Sequence, residues 1–417
     1  MRVGFLFNHD QLHQIAHSLP IAIELHRRGS IGDVVVLTGG PHLTAEVRRL
    51  LDAVGSDLPC VELGLRSGST RRLARTLDRL VPARRLALYR DNLDVFRRLD
   101  ILVVAEKTSA ILKTRYGLDR LKLVHTRHGA GDRAIGFDAA SRRFDHVLVA
   151  GTAIRERLIR EAHVPDDQMT TVGYPKFDLI AKPRPRLPIQ ANGRLTVLYN
   201  PHVAPHLSSW YRDGRAVLDY FARNQSYNLI FAPHVMLFHR PIAVTVNPFG
   251  FHFPGGIPAA VRDAPNIHVD LSSPACTDMT YTLAADIYLG DVSSQTYEFL
   301  LQPRPCIFIN SHGIDYQGDR NFTHWQAGRV IDDVADLGAA MDEAIRDPDG
   351  FATVQRELFA SHIDLTDERS SVRAALAIEA VAAGGTAPRQ PEVIAGHNRH
   401  DGKRHDVVIP AIATPAE

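Results

Sequence analysis

Apolar residues in this chain gather into short uninterrupted runs, and longer amphipathic stretches separate them. Residues 3–7 are a run of the first kind, and further strands read at 33–37, 101–104, 122–125, 146–149 and 169–172. Helical patterns lie at 12–28, closed by Gly29, and at 43–54, preceded by the turn Gly39-Gly40-Pro41. Strand–helix alternation of this kind predicts a parallel sheet covered by helices on both faces. It stops at 178–194, where Pro183, Pro185 and Pro188 crowd together. It resumes with strands at 195–199, 228–232, 266–269, 287–290, 305–310 and 329–331 and a helix at 214–222. The fold class expected is α/β, with two doubly wound, Rossmann-like domains facing across a cleft. The first spans 1–182, a linker 183–194, and the second 195–365. Residues 240–265, rich in proline, glycine and phenylalanine, read as a long loop or hairpin. Helices follow at 336–346, 355–359 and 366–384, and the proline-rich tail 385–417 is expected to be poorly ordered.

The stretch 284–311 concentrates the chemistry of the second half. It reads as strand, polar loop Asp291-Val292-Ser293-Ser294, short helix with Tyr297, Leu300 and Leu301 on one side, then strand. Two hydroxyls and unpaired backbone N–H groups at a helix start favour an anion, typically a phosphate, and Glu298 one turn in can accept from sugar hydroxyls. The alternative is that Ser293 or Ser294 only caps the helix. In the first half, a strand ends at His125 and runs into Arg127-His128-Gly129-Ala130-Gly131. Glycine there permits a sharp turn and close approach of a substrate, and the His128 imidazole is suited to take a proton from a hydroxyl. A histidine bonding across the turn is the alternative. Pro233-His234 ends a strand in the second half in the same manner, and Asn8 and His9 follow the first strand, at the edge where such sheets bind ligands.

Composition narrows the classes. The 417 residues carry 48 basic and 47 acidic side chains, a balance that argues against nucleic acid as a partner. Three scattered cysteines form neither a disulfide framework nor a CxxC site. The first strand follows the N-terminal methionine without a signal-peptide core, and no run approaches the ~18 residues of a spanning helix. The expected location is cytoplasmic. Residues 71–100 hold nine arginines against four aspartates with leucines at helical spacing. That stretch is either an ordinary solvated face or a peripheral contact with the inner membrane surface. His9, His13 and His17 fall four apart, as one stripe of a helix would place them, and His202 and His206 share that spacing. No carboxylate joins the first stripe at zincin spacing, and Pro201 and Pro205 make a helix doubtful at the second pair, so neither a metal nor a cofactor is expected.

Four phrases, in order, resemble one family. Arg127-His128-Gly129 resembles its W-H-G segment, residues 171–178 (TVGYPKFD) its G-x-P-x-x-D, Ala232-Pro233-His234 its R-P-H-P, and residues 286–294 (DIYLGDVSS) its D-x-L-I-T-D-Y-S-S. The family is the CDP-glycerol glycerophosphotransferases of teichoic-acid and related capsule synthesis, enzymes of glycosyltransferase-B-like fold. The resemblance implies transfer of a polyol phosphate from a CDP-linked donor to a hydroxyl of a glycan or lipid-linked acceptor. It implies His128 as base, His234 on the donor phosphate, Ser293, Ser294 and Gly129 around the diphosphate and Glu298 on the ribose, while Asn8 and His9 at the edge of the first sheet, with Arg127, are expected on the acceptor side. Thr126-Arg127, Ala232, Val235 and Val292 depart from the family's residues, which leaves a UDP-linked donor and glycosyl transfer open. A weaker resemblance, through 3–42, is to the non-hydrolysing UDP-N-acetylglucosamine 2-epimerases. A non-catalytic nucleotide-binding scaffold is the third alternative.

Overall fold

The computed structural model describes residues 1–9, 11–66, 83–127, 129, 131–133, 136–179, 185–246 and 249–385. His128, the first part of the basic stretch 71–100 and the tail beyond residue 385 lie outside them. The chain divides into two compact units. The first comprises Met1–His128, Phe137–Leu179 and Asp364–Glu417, and the second Gly129–Gly136 and Ile180–Ile363.

Seven strands build the first unit: β1 (Arg2–Phe7), β2 (Asp33–Thr38), β3 (Cys60–Glu62), β4 (Ile101–Val104), β5 (Lys122–Thr126), β6 (His146–Val149) and β7 (Met169–Thr171). They pair in parallel in the order β3-β2-β1-β4-β5-β6-β7. Strands β4 and β6 are buried along their whole length, which is why they read as continuous apolar runs. The order reverses between β1 and β4. Helix Ser370–Ala382, late in the chain, packs on helix Leu19–Arg28 and puts Ala374, Ala375, Ala377 and Ile378 into one core with Val3, Phe5 and Leu25. Arg28 fixes the pair through Glu379 at 2.7 Å.

The predicted helix over 12–28 is broken. Leu12–His17 is a 3-10 helix, and the α-helix starts afresh at Leu19 with Pro20 in its first turn. Proline has no N–H for an i−4 carbonyl and its ring clashes with that turn, so a helix arriving from residue 12 cannot run through it. With three residues per turn the stripe of His9, His13 and His17 does not form. His9 precedes the helix, and both His9 and His17 are buried.

The second unit holds β8 (Thr196–Asn200), β9 (Asn228–Phe231), the antiparallel hairpin β10 (Ala243–Val246) and β11 (Phe249–His252), then β12 (Ile267–Val269), β13 (Ile287–Gly290), β14 (Cys306–Ile309) and β15 (Arg329–Ile331). Outside the hairpin they form one parallel sheet in the order β12-β9-β8-β13-β14-β15. Helix Trp210–Arg223, longer at both ends than its sequence pattern, buries Val217, Leu218 and Phe221 against this sheet. Its order reverses between β8 and β13. In open parallel sheets the crevice beyond the strand C-termini at such a reversal is where ligands bind.

Candidate functional site

The reversal point of the second sheet is held by one carboxylate. Asp291, directly after β13, is fully buried. Its Oδ1 accepts the His202 N–H at 2.8 Å, and its Oδ2 accepts the Ser209 N–H at 2.6 Å and the Ser209 hydroxyl at 2.8 Å. Burial pushes its pKa up, and the bonds from Ser209, Val292 and His202 oppose that shift. The Asp291 carbonyl in turn accepts the Trp325 indole N–H at 2.8 Å. The loops after β8 and β13 are thereby locked side by side.

On that frame sit Ser293 and Ser294. The following helix is only Gln295–Phe299, too short for the dipole of a long helix. Ser293 Oγ accepts the Gln295 N–H at 3.2 Å, so this hydroxyl does cap the turn. Ser294 is exposed, and among the described residues the N–H groups of Ser293 and Ser294 have no intramolecular acceptor. Glu298 lies buried one turn on.

The segment Gly129–Gly136 belongs to this unit, and its Gly129 and Gly131 lie against Ser294. Gly129 has φ +84°, a conformation that favours glycine. A Cβ on Gly131 would lie 3.1 Å from Ser294 Cβ. Directly after these glycines, Asp132 anchors the segment. Its Oδ1 meets His362 Nε2 at 2.8 Å, and its Oδ2 accepts the Tyr297 hydroxyl at 2.7 Å and the His324 N–H at 3.1 Å. His324 Nδ1 also lies 3.1 Å from Oδ2, and the His362 ring stacks on Tyr297 with centroids 4.2 Å apart. Burial alone would raise the Asp132 carboxyl, but the hydrogen bonds from His324 and His362 outweigh it and hold it well below the usual carboxylate range.

Next to Asp132, the Arg133 guanidinium has no carboxylate partner among the described residues, and burial lowers its pKa. Its Nη1 faces His202 Nε2 at 2.9 Å. The other ring nitrogen of His202, Nδ1, accepts the Ala204 N–H at 3.0 Å. A neutral imidazole has one N–H and one lone pair, so both nitrogens cannot accept. With Nδ1 accepting, the Nε2 proton points at an arginine N–H. His234, after β9, lies beside them, its ring 5.9 Å from that of His202. Its Nδ1 accepts the Met236 N–H at 3.2 Å, which leaves Nε2 to donate. Burial and then Arg133 bring the His234 pKa down to about 4, and burial with the same arginine holds His202 well below its ordinary value. Among the described residues no group of three or more histidines, cysteines or acids is placed to hold a metal ion.

The expected residues therefore divide. Ser293, Ser294, Gly129 and His234 are in the second unit, with Glu298 one turn behind the serines. Asn8, His9 and Arg127 are in the first. Asn8 follows β1 and donates to the Tyr89 hydroxyl at 2.8 Å, while Arg85 reaches its carbonyl. The Arg127 guanidinium lies over the Phe137 ring at 4.4 Å with Arg157 on the same ring at 4.0 Å. Burial and Arg157 bring the Arg127 pKa down to about 10. Sequence reasoning missed Asp132, Arg133, the His202 ring that faces Arg133, His324 and His362. An acid–base pair straight after two glycines was the signal for Asp132 and Arg133. The distant histidines gave none.

No protein-family model and no curated protein matches this chain. Solved structures do match, across nearly its whole length. A UDP-N-acetylglucosamine 2-epimerase superposes with TM-score 0.61 at 12% identity, covering 95% of this chain and 99% of its own. The epimerase from Neisseria meningitidis bound to UDP-GlcNAc gives 0.56 at 11%, covering 92% and 100%. The wall teichoic acid polymerase TagF (H548A form) gives 0.56 at 10%, covering 92% and 89%. At these identities the likeness is one of fold: two parallel-sheet α/β domains of glycosyltransferase-B type.

Proposed function

We propose that this chain is a transferase whose donor is a nucleoside diphosphate carrying a polyol or sugar, and that Arg133, His202, His234, Ser293 and Ser294 hold the diphosphate. The observation behind this reading is the meeting of two N–H donors, Arg133 Nη1 and His202 Nε2, at 2.9 Å, with no carboxylate partner for the Arg133 guanidinium among the described residues. An oxyanion supplies the acceptor that both lack. Further phosphate oxygens suit His234 Nε2, the Ser294 hydroxyl and the two unbonded N–H groups of the turn. Arg133 on the segment anchored by Asp132, His202 on the loop locked through Asp291, and His234 after β9 form a preorganised set of donors for charge that builds up on phosphate.

The sequence resemblance favours a CDP-linked polyol phosphate. In that reaction an acceptor hydroxyl attacks the phosphorus bearing the polyol, the P–O bond to CMP breaks, and the hydroxyl proton passes to a base. His128 is proposed as that base and Glu298 as the ribose contact. Asn8, His9 and Arg127 are proposed for the acceptor, a glycan or lipid-linked hydroxyl. Incubation with CDP-glycerol and with UDP-sugars, scored by nucleotide released, tests the reading. CMP signifies phosphoryl transfer, and UDP or CDP signifies glycosyl transfer. Interconversion of a UDP-sugar without nucleotide release overturns transfer altogether. Arg133→Ala is expected to weaken CDP binding by roughly tenfold or more, as loss of a charge-assisted contact does; unchanged affinity removes the anion site.

A further inference from the structure

The hairpin β10–β11 stands outside both sheets, and its two faces differ. In its register Val244 pairs with Phe251 and Thr245 with Gly250. Directly paired residues share a face, and side chains alternate along each strand. The inward face carries Thr245 and His252, joined at 3.1 Å, with His252 edge-on to Tyr211 at 5.8 Å. Below it, the Trp210 indole N–H donates to the Pro254 carbonyl at 2.9 Å. These contacts fix the hairpin on helix Trp210–Arg223. The outward face carries Ile242, Val244, Phe249, Phe251 and Phe253, and the three phenylalanines are 71%, 59% and 65% exposed.

Five large apolar side chains at alternate positions, three of them aromatic, facing water, need a partner. Charge narrows its identity. From residue 220 to residue 262 the chain contains no Asp or Glu, while Arg223, Arg240 and Arg262 fall within that span. Arg240 and His239 are exposed immediately before the stripe. An apolar aromatic stripe with the exposed Arg240 directly before it and no acid in its own chain segment is complementary to an anionic leaflet, where rings enter the headgroup region and a guanidinium meets phosphates. A second copy of the chain is the competing occupant, and the test distinguishes it from a bilayer.

We propose that the outward face of β10–β11, with Ile242, Val244, Phe249, Phe251, Phe253 and Arg240, is a docking surface for an anionic lipid bilayer. It is separate from the diphosphate site, and its test needs neither donor nor turnover. The full chain is mixed with vesicles of phosphatidylglycerol and phosphatidylcholine, or of phosphatidylcholine alone, and sedimented. Binding is expected to the anionic vesicles and to fall tenfold or more in Phe249→Ser/Phe251→Ser/Phe253→Ser, whose melting temperature reports that it folds. Arg240→Glu, which leaves the apolar stripe intact, is expected to weaken binding several-fold and to blunt its salt dependence. Anionic-vesicle binding that survives the triple substitution places membrane contact elsewhere, such as in the basic stretch 71–100, and overturns the proposal. So does a dimer in sedimentation velocity that the triple substitution dissolves while no vesicle binding occurs.

Discussion

Asp132→Ala is the sharpest test of how the glycine-rich segment is held. In the folded chain this carboxylate is 3% exposed and receives the Tyr297 hydroxyl, the His324 N–H and the rings of His324 and His362 at 2.7 to 3.1 Å. Truncation leaves those donors buried without an acceptor. Each such group costs ~1–3 kcal/mol, and breaking a buried charged network in this way typically costs ~3–5 kcal/mol. At ~2–4 °C per kcal/mol for a unit of this size, the melting temperature falls by roughly 10 °C near neutral pH. Asp132→Asn keeps two polar atoms and is expected to cost less than half as much. The sign with pH follows from a folded-state pKa held below the unfolded value. The carboxylate's stabilisation is complete above the ordinary aspartate range, near pH 4, and is lost as pH falls through the depressed pKa. The gap between wild type and Asp132→Asn in thermal melts should therefore be widest at pH 5–7 and narrow steadily in acid below pH 4. An Asp132→Ala protein melting within 2 °C of wild type, or a gap that does not change with pH, would refute the anchoring role.

Two further predictions concern the anion site. A Cβ at Gly131 meets Ser294 at 3.1 Å, so Gly131→Ala should displace the serine by a few tenths of an ångström and weaken CDP binding more than it lowers the melting temperature. Gly129→Ala should do the reverse, because its φ of +84° strains an alanine by ~1–2 kcal/mol; identical behaviour of the two variants would contradict the assignment. Sulfate, whose charge is constant across the range, should bind about tenfold more tightly at pH 5 than at pH 7, because an anion favours protonation of His202 and His234, both held below their ordinary values. Calorimetry showing no proton uptake on binding would refute protonation of those rings by the anion. Without ligand the same depressed values act in the opposite sense, and stability falls as pH drops from about 6.5 towards 4.

The strands were readable because buried parallel strands are apolar on both sides, and Ile101–Val104 and Ile287–Gly290 start and stop where their runs do. Helix ends were less so. Pro20 marked the break after His17, but the apolar spacing continued across it and outweighed the proline in the reading. The polar turn after β13 was visible, whereas its anchor was not: Asp291 looked like one more loop residue until its bonds to residues 202 and 209 were in view. His324 and His362 lie 192 and 230 positions from Asp132, and no local pattern encodes a contact at that separation. A lone histidine beside Trp325 or at the end of helix Ala352–His362 carries no mark of its partner. The sheets thus follow from neighbours in sequence, while the polar network depends on tertiary placement.

Helix Ser370–Ala382 closes the core of the unit that begins at Met1, although some 180 residues of the other unit are synthesised in between. On the ribosome the core over β1 and β2, begun by helix Leu19–Arg28, therefore stays incomplete until Ser370–Ala382 emerges. The intervening unit can complete its own sheet during the delay. Nascent chains stalled before residue 370 should accordingly recruit holdase chaperones to Val3, Phe5 and Leu25, and lose them once Ile378 has cleared the exit tunnel.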